Sequence, residues 1–111
     1  MTEDRESTMY ARVTTLHANP DADAGRAQAI YREVIRELEG VDGFLGASFM
    51  LNAETHRAVS LTWWRDAHSA ATGGERSLPL LIARIGDLAD APLEVAGFTV
   101  VDQTTVPSVD G

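Results

Sequence analysis

The chain has 111 residues, seventeen of them acidic and nine basic, for a formal net charge of −8, with 44% hydrophobic residues and no cysteine. That is the length of one domain able to bury a real core, and its acidic surface repels phosphate backbones and anionic lipid, so no nucleic acid and no membrane is expected as a partner. The absence of cysteine excludes disulfides, thiolate nucleophiles, Cys-ligated zinc and iron–sulfur clusters and fits a reducing compartment.

The stretch Met1 to Thr8 is polar and acidic, without the apolar segment of a signal peptide. It is expected to form a flexible arm over residues 1–8. No apolar run approaches the roughly 18 residues of a membrane span, and a cytoplasmic location is expected. Met9 to Ala18 is rich in β-branched and aromatic residues and reads as strand 1. Asn19-Pro20-Asp21 breaks it, and Asp21 or Asp23 is placed to cap the next helix.

Helix 1 is expected over Ala22 to Glu39, where Ala27, Ile30, Tyr31, Val34 and Leu38 make one apolar stripe. Gly40 reads as its left-handed cap. Strand 2 covers Phe44 to Leu51, Asn52 to Thr55 forms a short link, and strand 3 runs from His56 to Trp64, antiparallel to strand 2. Asp66 is placed to cap a second helix through Ala71 that Gly73-Gly74 stops. A further helical segment, Ser77 to Ala89, carries Leu78, Leu81, Ile82, Ile85 and Leu88 on one face, with Pro79 in its first turn. Val95 to Gln103 reads as strand 4, and residues 104–111 as a flexible tail.

The order strand, helix, strand, strand, helix, strand predicts an α+β fold over residues 9–103. It is a ferredoxin-like split βαβ arrangement with a four-stranded antiparallel sheet and helices on one face. Neither face of the strands is cleanly polar. Helices cover only one face, so the half-apolar second face calls for another cover. A homodimer through the sheet face supplies it and leaves a small cavity for a small-molecule ligand.

The Gly43-Phe44-Leu45-Gly46 opening of strand 2, the Leu61-Thr62-Trp63-Trp64 end of strand 3 and the helical order around them resemble the antibiotic biosynthesis monooxygenase-like proteins. The resemblance covers Met9 to Gln103 and implies a dimeric α+β barrel. The superfamily includes cofactor-independent oxygenases acting on phenols and quinols, haem-degrading enzymes, and members without a known reaction. Trp64 matches the strand 3 tryptophan of the noncanonical haem-degrading branch. That branch carries an asparagine on strand 1 where this chain has Thr14, and a haem-ligating histidine after strand 3, where the one histidine is His68. Thr14 therefore disfavours haem, and no cofactor is expected.

Side chains two apart on a strand share a face. With Trp64 turned into the pocket, Thr62, Ser60 and Ala58 follow it, Arg12 and Thr14 join from strand 1, and Ser48 and Met50 from strand 2. Trp63 falls on the opposite face and is expected to be core beneath the helices. Arg12 would hold a phenolate, carboxylate or quinone oxygen, or else a structural ion pair. Trp64 would stack on an aromatic ring and donate its indole N–H, or else fill the core or dimer interface. No carboxylate falls on this face of strands 1 to 3, which leaves His68 or a helix residue as the acid/base. Scattered histidines give no metal site.

Two functions follow. One is a cofactor-independent monooxygenase acting on a small aromatic, polyketide-like or quinol substrate, with Arg12, Trp64 and His68 catalytic and Thr14, Ser48, Met50, Ser60 and Thr62 binding substrate. The other is a non-catalytic dimeric barrel that binds a small apolar ligand or serves a stress-related role. A cavity above roughly 300 Å³ would favour a ligand.

Overall fold

The computed structural model describes residues 9–104, so the expected arm and all but Thr104 of the expected tail lie outside the described residues. Strand β1 (Tyr10–His17) leads to helix α1 (Ala24–Glu39), then β2 (Phe44–Asn52), β3 (Arg57–Trp64), helix α2 (Ala67–Ile85), a 3₁₀ turn (Gly86–Leu88) and β4 (Glu94–Thr99). The strands form one antiparallel sheet in the order β2-β3-β1-β4. This is the α+β, ferredoxin-like arrangement, with both helices packed on one face.

Helix α1 begins where Asp23 accepts a hydrogen bond from the Gly25 amide at 2.9 Å. Ile30, Val34 and Leu38 lie four apart and form its buried stripe. Gly40 ends it at φ −88°, so the cap is not left-handed. Positive φ is found instead at Gly43, +96°, and at Gly86, +43°, and a side chain at Gly43 would also run into Ser69 of α2. The β2–β3 link is an Asx turn, in which the Asn52 carboxamide oxygen accepts the amides of Glu54 and Thr55 at 3.0 and 3.1 Å. It takes in His56, which sits at φ +56° instead of opening β3.

Two helical expectations merge into one. Asp66 caps α2 by accepting the Ser69 amide at 2.8 Å. The helix does not stop at Gly73-Gly74 but runs through both glycines and through Pro79. Glycine costs a helix interior about 1 kcal/mol and proline about 3, so tertiary packing must repay them. It does so through close approach. A Cβ on Gly73 would collide with the Trp64 indole, and one on Gly74 would lie 2.7 Å from the Arg12 guanidinium carbon. Arg84 then ties α2 to α1 with hydrogen bonds of 3.0 and 2.8 Å to Glu33 Oε2. Strand β4 ends at Thr99 and not Gln103, and it is exposed along its length at the sheet edge.

Register assigns the faces. Towards the helices, Tyr10 pairs with Trp64 and Thr99, Arg12 with Thr62 and Gly97, and Thr14 with Ser60 and Val95. Away from them lie Phe98, Ala11 and Trp63 in one row and Ala96, Val13 and Leu61 in the next. Trp64, 1% exposed, is therefore the core tryptophan beneath the helices, and Trp63 faces the open side. The expectation that Trp63 is core beneath the helices is therefore corrected, while Trp64 takes the core-filling place that was its alternative. A register that starts with Trp64 packed on α2 leaves Trp63 no access to that layer.

Candidate ligand site

Between the helices and the sheet lies a cavity of about 70 Å³. Its floor is Arg12, Thr14 and Leu16 of β1 with Ala58, Ser60, Thr62 and Trp64 of β3. Helix α1 contributes Ile30, Tyr31 and Val34, and α2 contributes Gly74, Ser77, Leu78 and Leu81. Phe49 of β2 closes one side. The surroundings are largely aliphatic, with one charged group and a row of hydroxyls.

Five of the expected site residues meet here: Arg12, Thr14, Ser60, Thr62 and Trp64. The cavity lies within the protomer, under the helices, and not on the open sheet face. Ser48 and Met50 are not in it. An unbroken β2 would carry the inward parity of Phe44 on to Gly46, Ser48 and Met50. Instead a bulge between Phe44 and Gly46 inserts Leu45 and shifts the register by one. Ala47 then pairs with Thr62 and Phe49 with Ser60, while Ser48 and Met50 pair with Leu61 and Val59 on the open face. Phe49, which the sequence reading left out of the site, takes the inward place. The signal for it was Gly46, because glycine within a strand marks bulges. His68 also falls outside. It is exposed on the first turn of α2 and does not line the cavity.

Arg12 is half-buried, and no hydrogen bond or ion pair to its guanidinium occurs among the described residues. The structural ion pair left open by the sequence is thus absent from them. The Trp64 indole N–H is already engaged, donating to Thr62 Oγ1 at 2.8 Å. It does not point at a ligand. Thr62 keeps its own hydroxyl hydrogen to donate. Trp64 also packs on Phe44, ring centroids 5.1 Å apart and tilted by 60°. Its place fixes the cavity's end wall.

Tyr31 stacks on Phe49 with ring centroids 4.8 Å apart and planes within 17°. Burial pushes its phenol above the usual value, against a smaller opposing pull from Arg32, so the hydroxyl stays protonated at neutral pH. Among the described residues, no Asp, Glu or His lines the cavity. Chemically, the site offers one cation and several hydroxyl donors to an oxygen-bearing ligand. Its described lining holds no carboxylate or imidazole to take a proton. Among the described residues, no cluster of His, Cys, Asp and Glu is placed to hold a metal ion. No helix among them is long and apolar enough to cross a membrane.

Comparison with known proteins places this geometry in context. An uncharacterized protein of Mycobacterium tuberculosis, Rv2558, is 36% identical over 89 residues, which are 78% of this chain and 37% of that protein. The chain thus spans little more than a third of that relative. Among solved structures, SnoaB of Streptomyces nogalater, a cofactor-independent oxygenase, superposes with a TM-score of 0.71 at 14% identity, covering 91% of this chain and 99% of SnoaB. The ActVA-Orf6 monooxygenase of Streptomyces coelicolor, solved with nanaomycin D, gives 0.69 at 19% identity over 96% and 97%. These likenesses establish the fold, that of the dimeric α+β barrels. The sequence pattern of antibiotic biosynthesis monooxygenases matches residues 9–72, from β1 into α2. The chain belongs to the antibiotic biosynthesis monooxygenase family.

Proposed function

We propose that the protein is a cofactor-independent monooxygenase of small phenolic or quinol substrates, with the cavity beneath the helices as its site. The observation that carries this is Arg12. A half-buried guanidinium without a partner among the described residues, facing a cavity of hydrocarbon and neutral hydroxyls, carries a charge that a ligand anion would complete. The ligand's ionised oxygen would sit on the Arg12 fork, with Thr14, Ser60 and Thr62 donating or accepting around it and Trp64 as the end wall.

Because no carboxylate or imidazole among the described residues lines the cavity, the reading has the substrate supply its own acidity. Arg12 favours the anion and so lowers the bound phenol's pKa. The electron-rich carbanion form of that anion then meets dioxygen. In the net reaction a ring carbon bearing two hydrogens in the keto tautomer becomes a carbonyl. One oxygen atom of O₂ enters that carbonyl and the other leaves as water with the two hydrogens. Neither a metal nor an external reductant is needed to balance it.

The open sheet face is proposed as the homodimer interface. Met50 is 47% and Phe98 54% exposed there, beside Val13, Val59, Leu61 and Trp63. The family's barrels close by packing two such sheets, which accounts for this apolar surface.

A second reading, the non-catalytic barrel, is favoured by cavity size. At about 70 Å³ the closed cavity holds about two waters at roughly 30 Å³ each. That is well short of a common ligand site of roughly 300 Å³ or more. Oxygen uptake with a panel of phenols, naphthols and hydroquinones separates the two. Turnover by the wild type, lost in Arg12→Ala and Trp64→Phe while both stay folded, supports the oxygenase. No uptake across the panel leaves the binding barrel.

A further inference from the structure

A cavity that is too small for the ring it is built to hold must open somewhere. Just outside it, along the edge strand β2, lies an open groove of about 460 Å³ bounded by Gln28, Arg32, Ala47, Ser48 and Leu51. Tyr31 and Phe49 line both the inner cavity and this groove. Their stacked rings, 4.8 Å apart, form the wall between the two. We propose that the Tyr31–Phe49 stack is the door of the site, through which a flat aromatic ligand passes from the outer groove to Arg12. This rests on the reading of the inner cavity as the ligand site.

Three observations favour this wall over the others. Phe49 belongs to an edge strand, held by β3 alone and bulged at Leu45, so its backbone is less supported than that of β1 and β3, which floor the cavity. The two rings contribute a nearly parallel aromatic slot, in which an incoming ring can take the place of one partner and keep the stacking. Charge gives the third reason.

The inner cavity meets a second outer hollow at Leu88, but that hollow is lined by Asp21, Asp23 and Asp90 with Arg26. Leu88 is buried, and its carbonyl is fixed by the Asn19 amide at 2.8 Å. Three carboxylates repel the anion that Arg12 attracts. Among the described residues, the groove at Tyr31 carries Arg32 and no carboxylate. The slot therefore selects planar, electron-rich rings and excludes bulky saturated ones.

The test uses Trp64 as a reporter, since it lines the inner cavity and is 1% exposed. In a Trp63→Phe background, which alters only the open face, Trp64 is the sole tryptophan. Acrylamide quenching of its fluorescence should be weak, and should rise several-fold in Phe49→Ala. A smaller rise is expected in Phe49→Leu, which breaks the stack but keeps an apolar cover and so guards against loss of folding. Leu88→Ala should change it little. Stopped-flow association of 1-naphthol should accelerate in Phe49→Ala. Quenching that rises in Leu88→Ala but not in either Phe49 variant would overturn the door. If quenching rises at Phe49 while 1-naphthol binds none of the proteins, the door stands and the phenol reading fails.

Discussion

Arg12 and Thr62 show how much single side chains decide here. Arg12 sits in β1 between Thr62 and Gly97, and it lines the cavity together with the hydroxyls of Thr14, Ser60 and Thr62. A hydrogen bond to a charged group contributes roughly 1.5–3 kcal/mol. Arg12→Ala should therefore weaken binding of a phenolate such as 1-naphtholate by about tenfold or more, read by calorimetric titration. Arg12→Lys should restore part of it, since the charge remains while the planar fork is lost. Thr62 has a different task. Its hydroxyl accepts the buried Trp64 indole N–H, so Thr62→Val leaves that donor without a partner and should cost about 1–3 kcal/mol in chemical denaturation. Stability unchanged in Thr62→Val would mean that the indole N–H finds another acceptor.

At the scale of elements, the two glycines of α2 explain why this helix lies so close to the sheet. Alanine raises helix propensity by about 1 kcal/mol over glycine, yet Gly73→Ala drives a methyl into the Trp64 ring, and overpacking costs roughly 1–3 kcal/mol. We expect net destabilisation. Gly40→Ala meets open space at an ordinary φ of −88° and should be neutral or stabilising by up to about 1 kcal/mol. Thermal unfolding of the pair checks the contrast. The same two elements mark what the sequence made legible. Apolar spacing located α1, and residue types located all four strands. Asp23 and Asp66 were readable as caps because a carboxylate before an apolar stripe has one local task. The continuity of α2 was not readable, because glycine's local cost says stop and only contact with Trp64 and Arg12 says continue. The inward turn of Phe49 was not readable either. One inserted residue at Leu45 reverses the parity that placed Ser48 and Met50 in the site, and period-two reasoning holds only until the first bulge.

For the whole molecule, charge and the open face set the expectations. Hydrogen bonds from Arg84 and Arg65 hold Glu33 and Asp42 below their ordinary values of 4.5 and 3.8, and the Ser69 amide and hydroxyl do the same for Asp66. A lowered folded pKa means that the native state binds fewer protons than the unfolded chain. This contribution is complete above the ordinary values and is lost as pH falls through the lowered ones. The denaturation midpoint should therefore drop on acidification below about pH 4.5, and Glu33→Gln should make that drop shallower. Phe98→Lys places a charge on the open face beside Ala11, and sedimentation should show a monomer in the variant and the proposed dimer in the wild type. A wild-type monomer would remove the proposed barrel closure. The most direct measurement of all is the ionisation of a bound phenol, followed by the absorbance of 1-naphthol across a pH titration with the protein in excess. The bound phenol should ionise at lower pH than the free one in the wild type, and at or above the free value in Arg12→Ala. Binding that leaves the phenol's ionisation unshifted or raised in the wild type would contradict a site organised around Arg12.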